Sequence, residues 1–211
     1  MFRAKVCGIT SWRDASRAVD CGADALGFNF YRPSPRYISP HAAGRIIARL
    51  PNHVACAGVF VNEPVEAILR VRIISGINLA QLHGEEPPEQ VARIAERLVT
   101  IKAFRVGPGF RPAMLKPYKA ADACLLDGFS ARLRGGTGRT VDWSIARRAA
   151  RYAPIVLAGG LGPDNIVEAV RRARPAAVDV HSGVESAPGR KDLKKLRAFF
   201  DALESVKEFL Q

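Results

Sequence analysis

The chain has 211 residues, 48% of them hydrophobic, and a formal net charge of +12. That length suits one domain spanning 1–211, too apolar to be disordered, and no stretch approaches the ~20 apolar residues of a membrane span. Arginine supplies 24 of the 32 basic residues, scattered without a basic run or aromatic-interleaved stripe, so an arginine-rich solvated surface and an anionic small molecule fit better than nucleic acid.

Short apolar runs recur along the chain, each followed by a turn and an amphipathic segment. They are AKVC from 4, ALGFNF from 25, ACAGVFV from 55, INLAQL from 77, TIKAFRV from 100, ACLLD from 123, PIVLAG from 154 and AAVDV from 176. The runs are continuous rather than alternating, as in parallel strands buried on both faces. Ser11 leads WRDASRAVD, Asp142 leads WSIARRAARY, and Pro163-Asp164-Asn165 leads IVEAVRRA, all helix start signals. GPGFRPAMLKPYKAA, after the fifth run, is broken by prolines and predicts a poor helix. Eight βα units in this length predict a (β/α)8 TIM barrel, with an open doubly wound sheet as the second choice. A GxGxxG after the first strand is missing, which disfavours a dinucleotide fold.

Barrel active sites form where strands end. The strand-end residues here are Cys7, Asn29, Val61, Gln81 with His83, Arg105, Asp127, Gly159-Gly160 and His181-Ser182-Gly183. The long loops follow the second and sixth strands. The glycine turns LAGGLGPDN (157–165) and VHSGVE (180–185) predict a phosphate site, because glycine lets backbone N–H groups approach an anion. Gly135, Gly136 and Gly138, in the loop after strand six, could extend it. The four cysteines, Cys7, Cys21, Cys56 and Cys124, match no CxxC or zinc spacing. Three read as small buried hydrophobes. Cys7 ends its run, where a thiol could be packing, half of a disulfide, a metal ligand or a catalytic group.

KVCGIT, GFNFYRPSPRYI, GVFVN, QLHG, LLDG, GGTGRTVDW, LAGGLGPDNI and VDVHSGVESAPGRKD occur in that order between residues 5 and 192. Together they resemble the phosphoribosylanthranilate isomerases of tryptophan biosynthesis. The resemblance implies a barrel without a cofactor or metal, and an Amadori rearrangement by acid–base catalysis. It implies Cys7 as general base, Asp127 as general acid, and Arg36 as ligand of the anthranilate carboxylate. On this reading something must favour the Cys7 thiolate, and burial must raise the Asp127 carboxyl so that it holds a proton. His83, Gly136, Gly159, Gly160, Ser182 and Gly183 are the further expected substrate contacts. Asp179 is expected either in a buried pair with Lys5 or Arg3 or in the pocket.

Two positions depart from the family pattern. His181 stands where a small residue is common, and would crowd the phosphate region or add a cationic contact. Val141 stands where Phe is usual. The partner expected is one small phosphorylated molecule, with no nucleic acid and no membrane. The protein is expected in the cytoplasm, as a monomer or homodimer. Another sugar-phosphate barrel, such as a histidine-pathway isomerase or a ribulose-phosphate epimerase, is the main alternative. The first would place an aspartate where Cys7 stands, and the second would need a metal cluster of His and Asp.

Overall fold

A computed structural model describes residues 2–128 and 143–210. Eight parallel strands close into a barrel in sequence order, each hydrogen-bonded to the next and the eighth to the first. They are β1 (Ala4–Cys7), β2 (Ala25–Asn29), β3 (Ala55–Phe60), β4 (Leu79–Leu82), β5 (Val99–Arg105), β6 (Ala123–Asp127), β7 (Ile155–Leu157) and β8 (Ala177–Val180). Closure excludes the open doubly wound sheet. The helices are α1 (Trp12–Asp20), α2 (Pro40–Ile47), α3 (Val65–Ser75), α4 (Pro88–Ala95), α5 (Ser144–Ala149), α6 (Ile166–Ala173) and α7 (Leu193–Glu204). After β5 the proline-broken segment forms only a 3-10 helix, Pro112–Tyr118. Among the described residues no helix is long and apolar enough to cross a membrane.

Ser11 caps α1 as its sequence predicts, accepting from the Asp14 N–H at 3.2 Å. Asn165 precedes α6 without a side-chain cap. It folds back instead, its Oδ1 accepting from Gly162 N–H and its Nδ2 donating to the Gly160 carbonyl, both at 2.9 Å, and so pins the glycine turn after β7. Asp142 and the glycines 135, 136 and 138 lie outside the described residues, as does Val141.

Strand periodicity divides the core in two. Ala25, Ala57, Leu79, Ile101, Ala103, Ala123, Leu125, Val156 and Ala177 fill the barrel interior. Their neighbours Val6, Leu26, Ala80, Leu82, Cys124, Leu126, Val178 and Val180 pack outward against the helices. Side chains alternate along a strand, so every second residue counted from the interior set points to the barrel mouth. That count yields Cys7, Asn29, Gln81, His83, Arg105, Asp127, Asp179 and His181, all of which line one cavity. Cys56 and Cys124 are buried as expected; Cys21, following α1, is only half-buried.

A hairpin not expected from the apolar runs follows β8: β9 (Glu185–Ala187) and β10 (Arg190–Lys191), antiparallel. Its turn is Pro188-Gly189, with Gly189 at φ 77°, a backbone region that favours glycine.

Candidate active site

The cavity at the C-terminal end of the barrel measures about 500 Å³. Cys7 opens into it from β1. The thiol fits because Gly27 faces it in register, where a Cβ would lie 2.7 Å from Sγ. Beneath it Lys5, fully buried, donates from Nζ to Asp179 Oδ2 at 2.6 Å, settling which basic residue pairs with Asp179. Asp179 also lines the cavity floor, so both expectations for it hold. Burial would lower the Lys5 pKa, but the Asp179 carboxylate and then Cys7 outweigh it and hold Lys5 above its ordinary value.

Burial pushes the Cys7 thiol up, and the opposing pull of Lys5 and Lys191 does not overcome it. The cations expected to favour a thiolate are present. Burial, helped by the Asp179 carboxylate, outweighs them and holds the thiol above its ordinary value.

Asp127 departs in the opposite direction. Its carboxylate accepts from Gly128 N–H at 2.7 Å and lies 3.3 Å from His83 Nε2. The hydrogen bond to His83, more than any other influence, holds it below the usual carboxylate range, against the effect of burial. The expected rise is therefore overturned: the side chain keeps 39% exposure and has an imidazole partner. His83 is itself positioned from behind, its Nδ1 3.1 Å from Gln81 Nε2. The turn carrying it is clamped by Glu86, which accepts from the Gly84 and Asn62 N–H groups and pairs with Lys102 at 3.1 Å.

Arg36 sits in the long loop after β2, which Asn29 organises by accepting from Tyr31 N–H and donating to Ser34 Oγ. Its guanidinium grips Glu185 from β9 through Nε and Nη2, at 2.6 to 3.1 Å. Lys191 from β10 reaches the same carboxylate at 3.0 Å and the Cys7 carbonyl at 2.5 Å. Burial would raise the Glu185 pKa, but Arg36 and Lys191 bring it below its ordinary value. The unexpected hairpin thus ties the Arg36 loop to the end of β1. Arg36 does not itself line the cavity; it borders it beside Gly8.

Gly159, Gly160 and Ser182 line the cavity as expected. Gly159 and Gly160 take φ of 85° and 69°, so that turn needs glycine. Gly183 does not line it. A Cβ there would stand 1.9 Å from the Leu161 carbonyl oxygen, so its role is to let the turns after β7 and β8 touch. His181 lines the cavity with Nε2 buried and unpartnered among the described residues. Burial, then Lys191 and Arg36, depress it to about 3, so it adds a neutral imidazole rather than a cationic contact. Gly136 lies outside the described residues.

Sequence reading singled out Gln81 as a strand end and assigned it no contact. It left Glu185 and Lys191 without a role, although the Pro-Gly turn between them was a readable hairpin signal.

The family model for N-(5'-phosphoribosyl)anthranilate (PRA) isomerase matches residues 4–202. The N-(5'-phosphoribosyl)anthranilate isomerase of Geobacter metallireducens is 51% identical over 199 residues, 94% of this chain and 97% of that protein. The crystal structure of the Thermotoga maritima phosphoribosyl anthranilate isomerase superposes with a TM-score of 0.88 at 43% identity, covering 97% of this chain and all of that one. Another solved isomerase structure, in complex with reduced 1-(o-carboxyphenylamino)-1-deoxyribulose 5-phosphate, gives 0.87 at 43% identity, with 97% and 100% covered. The chain belongs to the N-(5'-phosphoribosyl)anthranilate isomerase family.

Proposed function

We propose that this barrel mouth carries out the Amadori rearrangement of N-(5-phosphoribosyl)anthranilate to 1-(2-carboxyphenylamino)-1-deoxyribulose 5-phosphate, with Cys7 as general base and Asp127 as general acid. The observation that carries the assignment is that these two groups, on β1 and β6, open onto one cavity whose rim holds the glycine turns after β7 and β8. Backbone N–H groups of those turns suit a phosphate. Arg36, held beside Gly8 by Glu185, suits the anthranilate carboxylate.

Asp127 gives a proton to the furanose oxygen. The C1–O bond breaks, its electron pair going to that oxygen, and C1 becomes an iminium carbon. The Cys7 thiolate then takes the C2 proton, and the electrons left at C2 neutralise the iminium. The resulting enolamine moves its hydroxyl proton to C1 and becomes the ketone. No redox partner is needed, because C2 is oxidised to the ketone as C1 is reduced, the hydrogen lost at C2 being matched by the hydrogen gained at C1.

The resting protonation is the reverse of the working one. At rest the thiol holds the proton and the carboxylate does not. The working form holds the same single proton on Asp127, with Cys7 as thiolate. The two forms are isomers of one coupled pair, so a bell-shaped rate profile would report the pair rather than either group. Lys5 and Lys191 favour the working form by opposing the rise of Cys7. The test is turnover of phosphoribosylanthranilate generated in situ, followed as loss of its fluorescence. No turnover by the folded wild type would reject the proposal in favour of another sugar-phosphate barrel.

A further inference from the structure

The reading above leaves the general acid ionised at rest and does not say where its proton is held. The structure places two side chains behind Asp127 in a line. Gln81, His83 and Asp127 occupy inward positions on β4, the turn after it, and β6. Gln81 Nε2 lies 3.1 Å from His83 Nδ1, and His83 Nε2 lies 3.3 Å from Asp127 Oδ2. Gln81 is 1% exposed, and its Oε1 is buried with no partner among the described residues. Among the described residues the side-chain amide therefore has one hydrogen-bond partner, His83 Nδ1, and which end it presents follows the state of that nitrogen. It donates N–H when Nδ1 is bare, and accepts through Oε1 when Nδ1 carries hydrogen. A leucine could do neither, and a carboxylate only the second.

We propose that Gln81 and His83 are positioning residues for the general acid: Gln81 turns its amide to follow the proton on His83, so that the acid proton is shared between His83 Nε2 and Asp127 Oδ2. The inference rests on the assignment of Asp127 as acid.

In the resting arrangement the His83–Asp127 pair holds one proton, on Nε2, donated to the carboxylate. In the working arrangement it holds two, one on Nδ1 facing Gln81 Oε1 and one between Nε2 and Oδ2. The second passes from Oδ2 to the furanose oxygen. The remaining proton settles on Nε2, and Gln81 turns its nitrogen back to Nδ1. The cycle closes when Cys7 gives up the proton it took from C2 and the pair regains its second proton through solvent at the Asp127 carboxyl, whose side chain is 39% exposed. The clamp of Glu86 and Lys102 on the His83 turn keeps the imidazole in place through both states.

The test uses the full chain with substrate generated in situ, comparing wild type, Gln81→Leu, His83→Asn and Asp127→Asn over pH 5 to 9. Arg105, Asp179, His181, Cys7 and Tyr31, the other charged or titratable groups lining the cavity among the described residues, stay unchanged in the first two variants. Lys5 also stays below them, paired with Asp179. For Gln81→Leu and His83→Asn the expected result is a kcat lower by about tenfold to a hundredfold, KM within about twofold, and a displaced acidic limb of the kcat profile. Imidazole 15N shifts of wild-type His83 should report the Nε2–H form at rest. A folded His83→Asn with wild-type kcat and profile overturns the proposal, even if Gln81→Leu fails to fold. So does a lower kcat with an unmoved profile. Those results leave the acid assignment standing if Asp127→Asn is inactive. An active Asp127→Asn removes the assignment and the inference together.

Discussion

Replacing Lys5 with methionine removes the cation beneath the cavity while keeping most of the side chain's bulk. Asp179 is then left in the barrel interior without its 2.6 Å partner. Deleting one member of a buried pair costs about 3–5 kcal/mol, because the other charge stays desolvated. The carboxyl can escape by taking up a proton. Against its ordinary value of 3.8, holding that proton at pH 7 costs about 4 kcal/mol, so both routes give the same magnitude. They differ in pH dependence. A carboxyl whose folded pKa is raised contributes least stability when pH exceeds that pKa, and its cost falls as pH drops toward the unfolded value. The deficit of Lys5→Met should therefore shrink from about 4 kcal/mol at pH 7 to under ~2 kcal/mol at pH 5. Urea unfolding at the two pH values measures it. The variant should also lose turnover, because Lys5 is the main group opposing the rise of the Cys7 thiol. Lys5→Met combined with Asp179→Leu should recover most of the stability and none of the turnover. A deficit below ~1 kcal/mol at pH 7, or one equal at both pH values, would refute the buried-charge reasoning.

Asp127→Asn should keep its circular dichroism and lose ring opening, with turnover down by about a hundredfold or more; near-normal turnover would place the acid elsewhere. Arg36→Ala should raise KM at least about tenfold by removing the carboxylate fork, and lower Tm by leaving Glu185 to Lys191 alone; an unchanged KM would remove Arg36 from the substrate site. His181 sits at about 3 when folded, against 6.5 ordinarily, so the unfolded chain binds its proton first and stability falls as pH drops below about 6.5. His181→Ser should abolish that part of the loss, worth at most about 2 kcal/mol at pH 5 by linkage, and an unaltered pH dependence would contradict the buried neutral imidazole.

The barrel was legible because a parallel strand buried on both faces leaves a continuous apolar run. β1 and β6 begin and end where AKVC and ACLLD do. Closure was not legible, since it depends on β1 pairing with β8 across most of the chain. The mouth residues could be counted from strand ends, and Cys7 and Asp127 stand among them. Their protonation could not. It depends on how tightly Gly27 and Lys5 enclose the thiol, and on an imidazole 44 positions from Asp127 that reaches it only because β4 and β6 flank β5. Arg36 was identified by its motif, yet its hold on Glu185 required the fold to bring the loop after β2 against the hairpin after β8. The Asn165 side chain looked like a helix cap, and local competition from the glycine turn redirected it.

The most direct test of the account is turnover of phosphoribosylanthranilate by wild type and Cys7→Ser, followed by loss of substrate fluorescence at neutral pH. A serine hydroxyl fits the space beside Gly27 but is far too weak an acid to supply the anion that removes the C2 proton. The account predicts rapid loss with wild type and a rate lower by about a hundredfold or more with the variant. Equal rates would keep the enzyme and contradict Cys7 as its base.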